Sequence, residues 1–138
     1  LASSVDYCYA TKHAAVKLSE LAVGIGPFVV GPACERKLGL AGMSDLAINA
    51  TEWRSAEWAF QRGLYNDIFE DAAAMDAAIE ALAGRLLTKS VPAMRGLKKV
   101  FWEGTEHWDQ LLAERAAISG ELILSKEAKD AIGAFKSK

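Results

Sequence analysis

The sequence has 138 residues and a mass of 14.9 kDa, the usual size of one domain, with room for a buried core and too little for two ordinary ones. It is 51% hydrophobic and 25% charged, and 16 Lys+Arg stand against 18 Asp+Glu. That balance excludes a disordered chain, a collagen-like repeat and a nucleic-acid-binding polycation.

Strand signals concentrate in residues 1–25, where Val5, Tyr7 and Tyr9, then Val16 and Leu18, alternate with smaller or polar residues on either side of Thr11-Lys12-His13. Two short strands are predicted there. The segment from Gly24 to Pro32 holds Gly24, Gly26, Gly31, Pro27 and Pro32, so it carries turn geometry before a helix starts. A helix is predicted over Phe28 to Leu38, with Pro32 in its first turn and Gly39 as its stop. Met43, Leu46 and Ala47 mark a second, short one. Ser55 is a suitable N-cap for a helix over Ala56 to Phe60 that Gly63 closes, and Leu64 to Phe69 reads as extended.

The rest of the chain reads as helical. Asp71 caps a long amphipathic helix with Met75, Ile79, Leu82 and Leu86 on one face. Ser90, with Pro92 in the first turn, opens a helix bearing Met94, Leu97 and Phe101. Thr105 is the predicted cap of the next, with Trp108, Leu111, Leu112, Ala116 and Ile118, and Ser125 that of the last, with Ala128, Ile132 and Phe135. Two or three short strands ahead of about six helices cannot make a stable sheet alone. They are expected to complete a sheet or solenoid built by residues outside this chain. The chain also opens without Met inside a strand-like stretch, which reads as the continuation of a longer protein.

No apolar run approaches the roughly 20 residues that span a bilayer, and the first residues lack the basic and apolar regions of a signal peptide. A soluble, cytoplasmic protein is expected. Cys8 and Cys34 have no metal-ligand spacing and read as free thiols, small and buried. His13 and His107 lie far apart in no metal or triad pattern and read as surface residues. Trp53, Trp58, Trp102 and Trp108 read as packing residues. Arg95, Lys98 and Lys99 form a basic helix face, and Lys126, Lys129, Lys136 and Lys138 a basic tail; solvated faces are the plain reading and phosphate contact the sharper one. No Walker-type loop, dinucleotide fingerprint or serine elbow is present.

Glu20 is the chemical candidate. It follows the strand-like Ala15-Val16-Lys17-Leu18 and precedes an apolar, glycine-rich turn, a partly desolvated place for a carboxylate. Desolvation turns a carboxyl group into a usable acid and base, as reactions that move a proton next to a carbonyl require. The plain alternative is a surface Glu that caps the turn or pairs with Lys17.

At Ser4-Val5-Asp6-Tyr7-Cys8-Tyr9-Ala10-Thr11 and Leu18-Ser19-Glu20-Leu21-Ala22-Val23-Gly24-Ile25 the chain resembles the enoyl-CoA hydratase/isomerase (crotonase) family. Trp53 to Ala59 and Gly63-Leu64-Tyr65-Asn66 resemble the stretch that closes its catalytic domain, and the helices from Asp71 resemble its C-terminal helical part. The resemblance implies an α/β fold, the C-terminal portion of a crotonase β-β-α spiral with mostly helical content. Residues 1–70 are then the second half of the core, and residues 71–138 a helical region used for trimerisation and for covering the pocket. It also implies an acyl-CoA substrate, no metal or redox cofactor (coenzyme A being part of the substrate), no nucleic-acid or membrane partner, and a homotrimer or hexamer.

On this resemblance Glu20 takes the place of the family's second catalytic glutamate, and the first falls immediately before Leu1. Two glutamates add water across a 2-enoyl-CoA; Glu20 alone shuttles a proton between C2 and C4 and shifts a 3-enoyl double bond. The two backbone N–H groups that hold the thioester oxyanion come from upstream segments. Leu18, Ile25, Pro27 and Phe28 are expected to shape the acyl pocket, and Lys138 to sit near the CoA phosphates. Typical hydratases have small Gly and Ala residues after the proline corresponding to Pro27. Phe28, Val29 and Val30 stand there, as in some of the isomerase branch, which counts against simple hydration and leaves hydration of a short or branched acyl group in a modified pocket as the other route. The rival is a non-catalytic helical assembly module, which has no affinity for acyl-CoA.

Overall fold

The computed structural model describes residues 1–136. A 3-10 turn, Ala2–Ser4, leads to β1 (Tyr9–Thr11) and β2 (Ala15–Val16), and a second 3-10 turn, Glu20–Val23, precedes α1 (Gly31–Ile48). β3 (Arg54–Ser55), α2 (Ala56–Gln61) and β4 (Asp67–Phe69) follow, and α3 (Ala72–Leu87), α4 (Val91–Phe101), α5 (Trp108–Ile123) and α6 (Lys126–Lys136) complete the described chain.

The strands form two separate pairs. β1 runs parallel to β4, with Tyr9 opposite Asp67 and Thr11 opposite Phe69. β2 runs antiparallel to β3, with Ala15 opposite Ser55. The loop before β4 is tied in by Asn66, whose Oδ1 accepts the Cys8 N–H at 2.8 Å while its own N–H reaches the Cys8 carbonyl at 2.7 Å. Ala10, Cys34, Leu38, Leu46, Ala56, Ala59, Leu64 and Tyr65 form the core, with Val16, Leu18, Met43 and Trp58 packed against it. All of these lie before α3. Among the described residues, α3, α4 and α5 bury none, whereas α6 buries Ala128 completely.

Several helix starts follow the sequence closely. Ser55, Asp71, Ser90 and Ser125 each accept the backbone N–H three residues on, which satisfies one of the otherwise unpaired donors of a first turn. Thr105 does not cap: its hydroxyl donates to the Trp102 carbonyl at 2.7 Å, and α5 starts after His107 without a side-chain cap. α1 starts at Gly31 rather than Phe28, because the Phe28 N–H turns back onto the Gly26 carbonyl at 2.8 Å. Gly39 marks a break rather than an end, with φ +68 and ψ 168 inside α1, and the Met43 to Ala47 stretch continues the same element beyond the kink. Only Gly takes that φ at no steric cost. Val5 and Tyr7 are exposed and lie ahead of β1, so the first strand is shorter and later than predicted.

The helical region is fastened to the core side by one polar cluster. The Asp6 carboxylate accepts from Lys98 Nζ at 2.6 Å and from Trp102 Nε1 at 2.5 Å. The Trp102 ring lies between two cations, with the Arg36 guanidinium 4.3 Å and the Lys98 ammonium 4.7 Å from its centroid. Arg36 also donates to the Phe101 carbonyl. Hydrogen bonding from Lys98 is the largest cause holding the Asp6 carboxyl below its ordinary value of 3.8; partial desolvation opposes it and the Trp102 bond reinforces it.

A carboxyl whose folded-state pKa is depressed stabilises the fold above its unfolded pKa and loses that contribution as pH falls through the folded value. Asp6→Asn in the full-length protein is therefore expected to cost up to about 1 kcal/mol at pH 7, the scale of a part-exposed pair. The difference between wild type and variant should shrink as pH falls below about 4. Urea unfolding at several pH values checks this, and a difference that persists at pH 2 contradicts it.

Candidate functional site

Glu20 is the first residue of the Glu20–Val23 3-10 turn. Gly24 closes that turn at φ +78, donating to the Leu21 carbonyl at 3.2 Å, and the Ile25 N–H reaches the Glu20 carbonyl at 3.1 Å. A Cβ on Gly24 would stand 2.7 Å from the Ala128 Cα. The backbone of α6 thus lies directly on the turn that presents Glu20.

The Glu20 side chain is half-buried, and its Oε2 is closed off from solvent with no hydrogen-bond partner among the described residues. Such an atom costs on the order of 1–3 kcal/mol. A fold retains unpaired buried oxygens only rarely, and a chemical role is one of the reasons. Lys17, the alternative partner in the sequence, does not reach it. Its ammonium sits 4.6 Å from the centroid of the Trp53 ring.

The neighbour that sequence reasoning missed is Cys34 of α1, a free thiol only 8% exposed. Burial pushes this thiol above its ordinary value, a hydrogen bond with Ser3 opposes the rise, and the Glu20 carboxylate adds to it. The first 3-10 turn, the Glu20 turn and α1 therefore converge here, and the two turns both pack against α1. No spacing rule links Ser3, Glu20 and Cys34, which is why only the folded chain reveals the group.

The expected acyl-pocket residues are distributed over more than one place. Pro27 and Phe28 wall a cavity of about 240 Å³ with Met43 and Arg115, and neither Leu18 nor Ile25 lines it. Leu18 packs against the core, and Ile25 is half-buried beside the Glu20 carbonyl. Lys138 lies outside the described residues. A different groove, of about 590 Å³, borders the Glu20 turn, lined by Lys17, Ser19, Ala22, Val23, Thr51 and Ala131 among others, and the Glu20 side chain does not itself line it. His13 and His107 are exposed. Of the basic helix face, Lys98 is taken up by Asp6. No helix of the described residues is long and apolar enough to cross a membrane.

The family model for enoyl-CoA hydratase/isomerase matches residues 1–138. No curated protein matches the sequence. Among solved structures, the chain is similar to an enoyl-CoA hydratase from Mycobacterium avium, with a TM-score of 0.89 at 23% identity over 99% of this chain and 53% of that one. It is similar also to an enoyl-CoA hydratase/isomerase from Pseudoalteromonas atlantica T6c (TM-score 0.86, 21% identity, 99% of this chain and 55% of that one). A carnitinyl-CoA hydratase from Mycobacterium avium gives a TM-score of 0.80 at 25% identity over 99% of this chain and 54% of that one. The chain spans about half the length of these structures. Its β1 to β4 region and helices are those of the C-terminal portion of the crotonase fold, as the sequence resemblance implied. With a family model matched from end to end, the chain belongs to the enoyl-CoA hydratase/isomerase family.

Proposed function

We propose that the protein carrying this chain acts on an enoyl-CoA thioester and that Glu20 moves the proton. The observation that carries the reading is the Glu20 carboxylate, with one oxygen buried and unpartnered among the described residues, at the position where the sequence resemblance implies the family's second catalytic glutamate. In a double-bond shift, the carboxylate takes a proton from C2 of a 3-enoyl thioester, the electron pair moves into a dienolate, and the same group returns the proton at C4. In hydration, it works with a second carboxylate, one activating water and the other protonating the α-carbon. Both routes place negative charge on the thioester oxygen, and fixed backbone N–H donors are the groups suited to hold it. The sequence resemblance supports the shift, since Phe28, Val29 and Val30 stand where typical hydratases have small residues. The residues from Asp71 onward fit a role in subunit contact, because α3, α4 and α5 carry exposed Ile79, Leu86, Leu97, Phe101 and Leu122. A trimer or hexamer in the cytoplasm completes the reading.

A ligand that binds only the folded state raises its stability by RT ln(1 + [L]/Kd), about 2.7 kcal/mol at a hundredfold excess over Kd. Full-length protein titrated with a 3-enoyl-CoA should therefore show a rise in Tm that grows with ligand concentration. Free coenzyme A should give a smaller one. A flat thermal profile with every acyl-CoA overturns the proposal and leaves a non-catalytic helical module.

A further inference from the structure

The groove along the Glu20 turn has a polarity that belongs to a particular ligand. Ala22, Val23, Ala50 and Ala131 make its walls predominantly apolar, with the Ser19 and Thr51 hydroxyls as its neutral polar groups, and its volume of about 590 Å³ falls within the range of small-molecule sites. Among its described lining residues the cation is Lys17. Among the described residues no carboxylate lies within ion-pair distance of that ammonium; the ion pairs are those of Lys12, Arg54, Lys98 and Lys126. Its ammonium instead lies over the face of Trp53, a residue 63% exposed. A cation–π contact at an exposed site is worth about 0.5–1 kcal/mol, less than the 1.5–3 kcal/mol typical of a hydrogen bond to a charged group. Lys17 thus lines a largely apolar groove and is held by a contact that a ligand anion can outcompete.

The geometry points to Lys17 as a specificity residue that selects acyl groups ending in a carboxylate, with the apolar part of the acyl chain lying along Ala22, Val23 and Ala131. This inference rests on the acyl-CoA reading above. It assigns the anion to the acyl group and not to coenzyme A for a reason of distance. Lys17 is three residues from Glu20, so its Cα lies within about 10 Å of the Glu20 Cα even if the chain is fully extended. The phosphates of coenzyme A are separated from the reacting carbons by the whole pantetheine arm, whereas the far end of a short acyl chain is only a few bonds away.

Calorimetric titration of the full-length protein tests the assignment with two non-reacting probes, hexanoyl-CoA and the six-carbon acyl-CoA whose far carbon is a carboxylate. The wild type should bind the carboxylated probe tenfold or more tightly than the plain one, the fold-change of one charge-assisted contact. Lys17→Met should abolish that preference, and Lys17→Arg, which keeps the charge, should retain most of it. Equal binding of both probes by the wild type overturns the inference and leaves the acyl-CoA reading standing. So does a preference that survives in Lys17→Met, or an equal weakening of both probes, which marks a contact to the coenzyme phosphates. If neither probe binds, the acyl-CoA reading fails and takes this inference with it. Circular dichroism on Lys17→Met and Lys17→Arg separates a lost contact from a lost fold.

Discussion

Glu20→Gln in the full-length protein should lower kcat on an enoyl-CoA by roughly 10²- to 10⁴-fold, the usual contribution of a positioned acid or base, while Kd for the acyl-CoA stays within a few-fold. The two side chains have nearly the same shape, so the turn and its Gly24 closure remain in place. What disappears is the ability to take and return a proton. The oxygen that is now buried and unpaired becomes part of a neutral amide, a smaller burden on the fold than a desolvated carboxylate. Glu20→Asp separates charge from reach: it keeps the carboxylate but withdraws it by one methylene. A loss on the order of 10²-fold is expected there, because proton transfer falls steeply with misplacement of about 1 Å. Turnover of Glu20→Gln at the wild-type rate would sink the assignment.

Gly24→Ala should be the more damaging change to the fold. Its φ of +78 lies in the left-handed region, where a side chain costs about 1–2 kcal/mol. The new Cβ would also stand 2.7 Å from the Ala128 Cα and 3.0 Å from the Ala128 N, backbone atoms with no flexible end to swing away. Overpacking of that kind adds about 1–3 kcal/mol. A total of roughly 3 kcal/mol, read by urea unfolding, is expected, together with reduced activity, since the same collision pushes on the Glu20 turn. Gly104→Ala supplies the control. It has φ +82 with nothing within 4 Å of the added carbon, so only the backbone strain applies. Equal losses for the two variants would mean that α6 does not rest on the turn.

Much of the local structure was legible because its causes are local. Ser55, Asp71, Ser90 and Ser125 cap from one turn away, and Pro32 can stand only in a first turn. Thr105 shows the limit of that logic, since a hydroxyl can accept from an N–H ahead of it or donate to a carbonyl behind it, and here it donates to the Trp102 carbonyl. The position of Glu20 followed from its flanking residues, but its surroundings did not. Cys34 and Ser3 approach it from other elements, and the groove beside it is assembled from the 3-10 turn, the turn that follows α1, and α6. Alanines carry no periodic signal that distinguishes a groove wall from ordinary packing. The sequence offered Lys17 one partner, the carboxylate three residues on, and its ring partner 36 residues on became visible only through the β2–β3 pairing that brings Trp53 to it.

That distant pairing has a consequence for how the chain is made. β1 is bonded to β4 across roughly 58 residues, and Cys8 meets Asn66 across the same interval. A segment emerging from the ribosome in order must therefore wait until Phe69 has been synthesised before β1 finds its partner. During that interval its N–H and C=O groups form an open edge, the kind of surface that pairs with the wrong strand. Non-local pairing of this sort also slows folding, because the loop between the strands must close before the contact repays it.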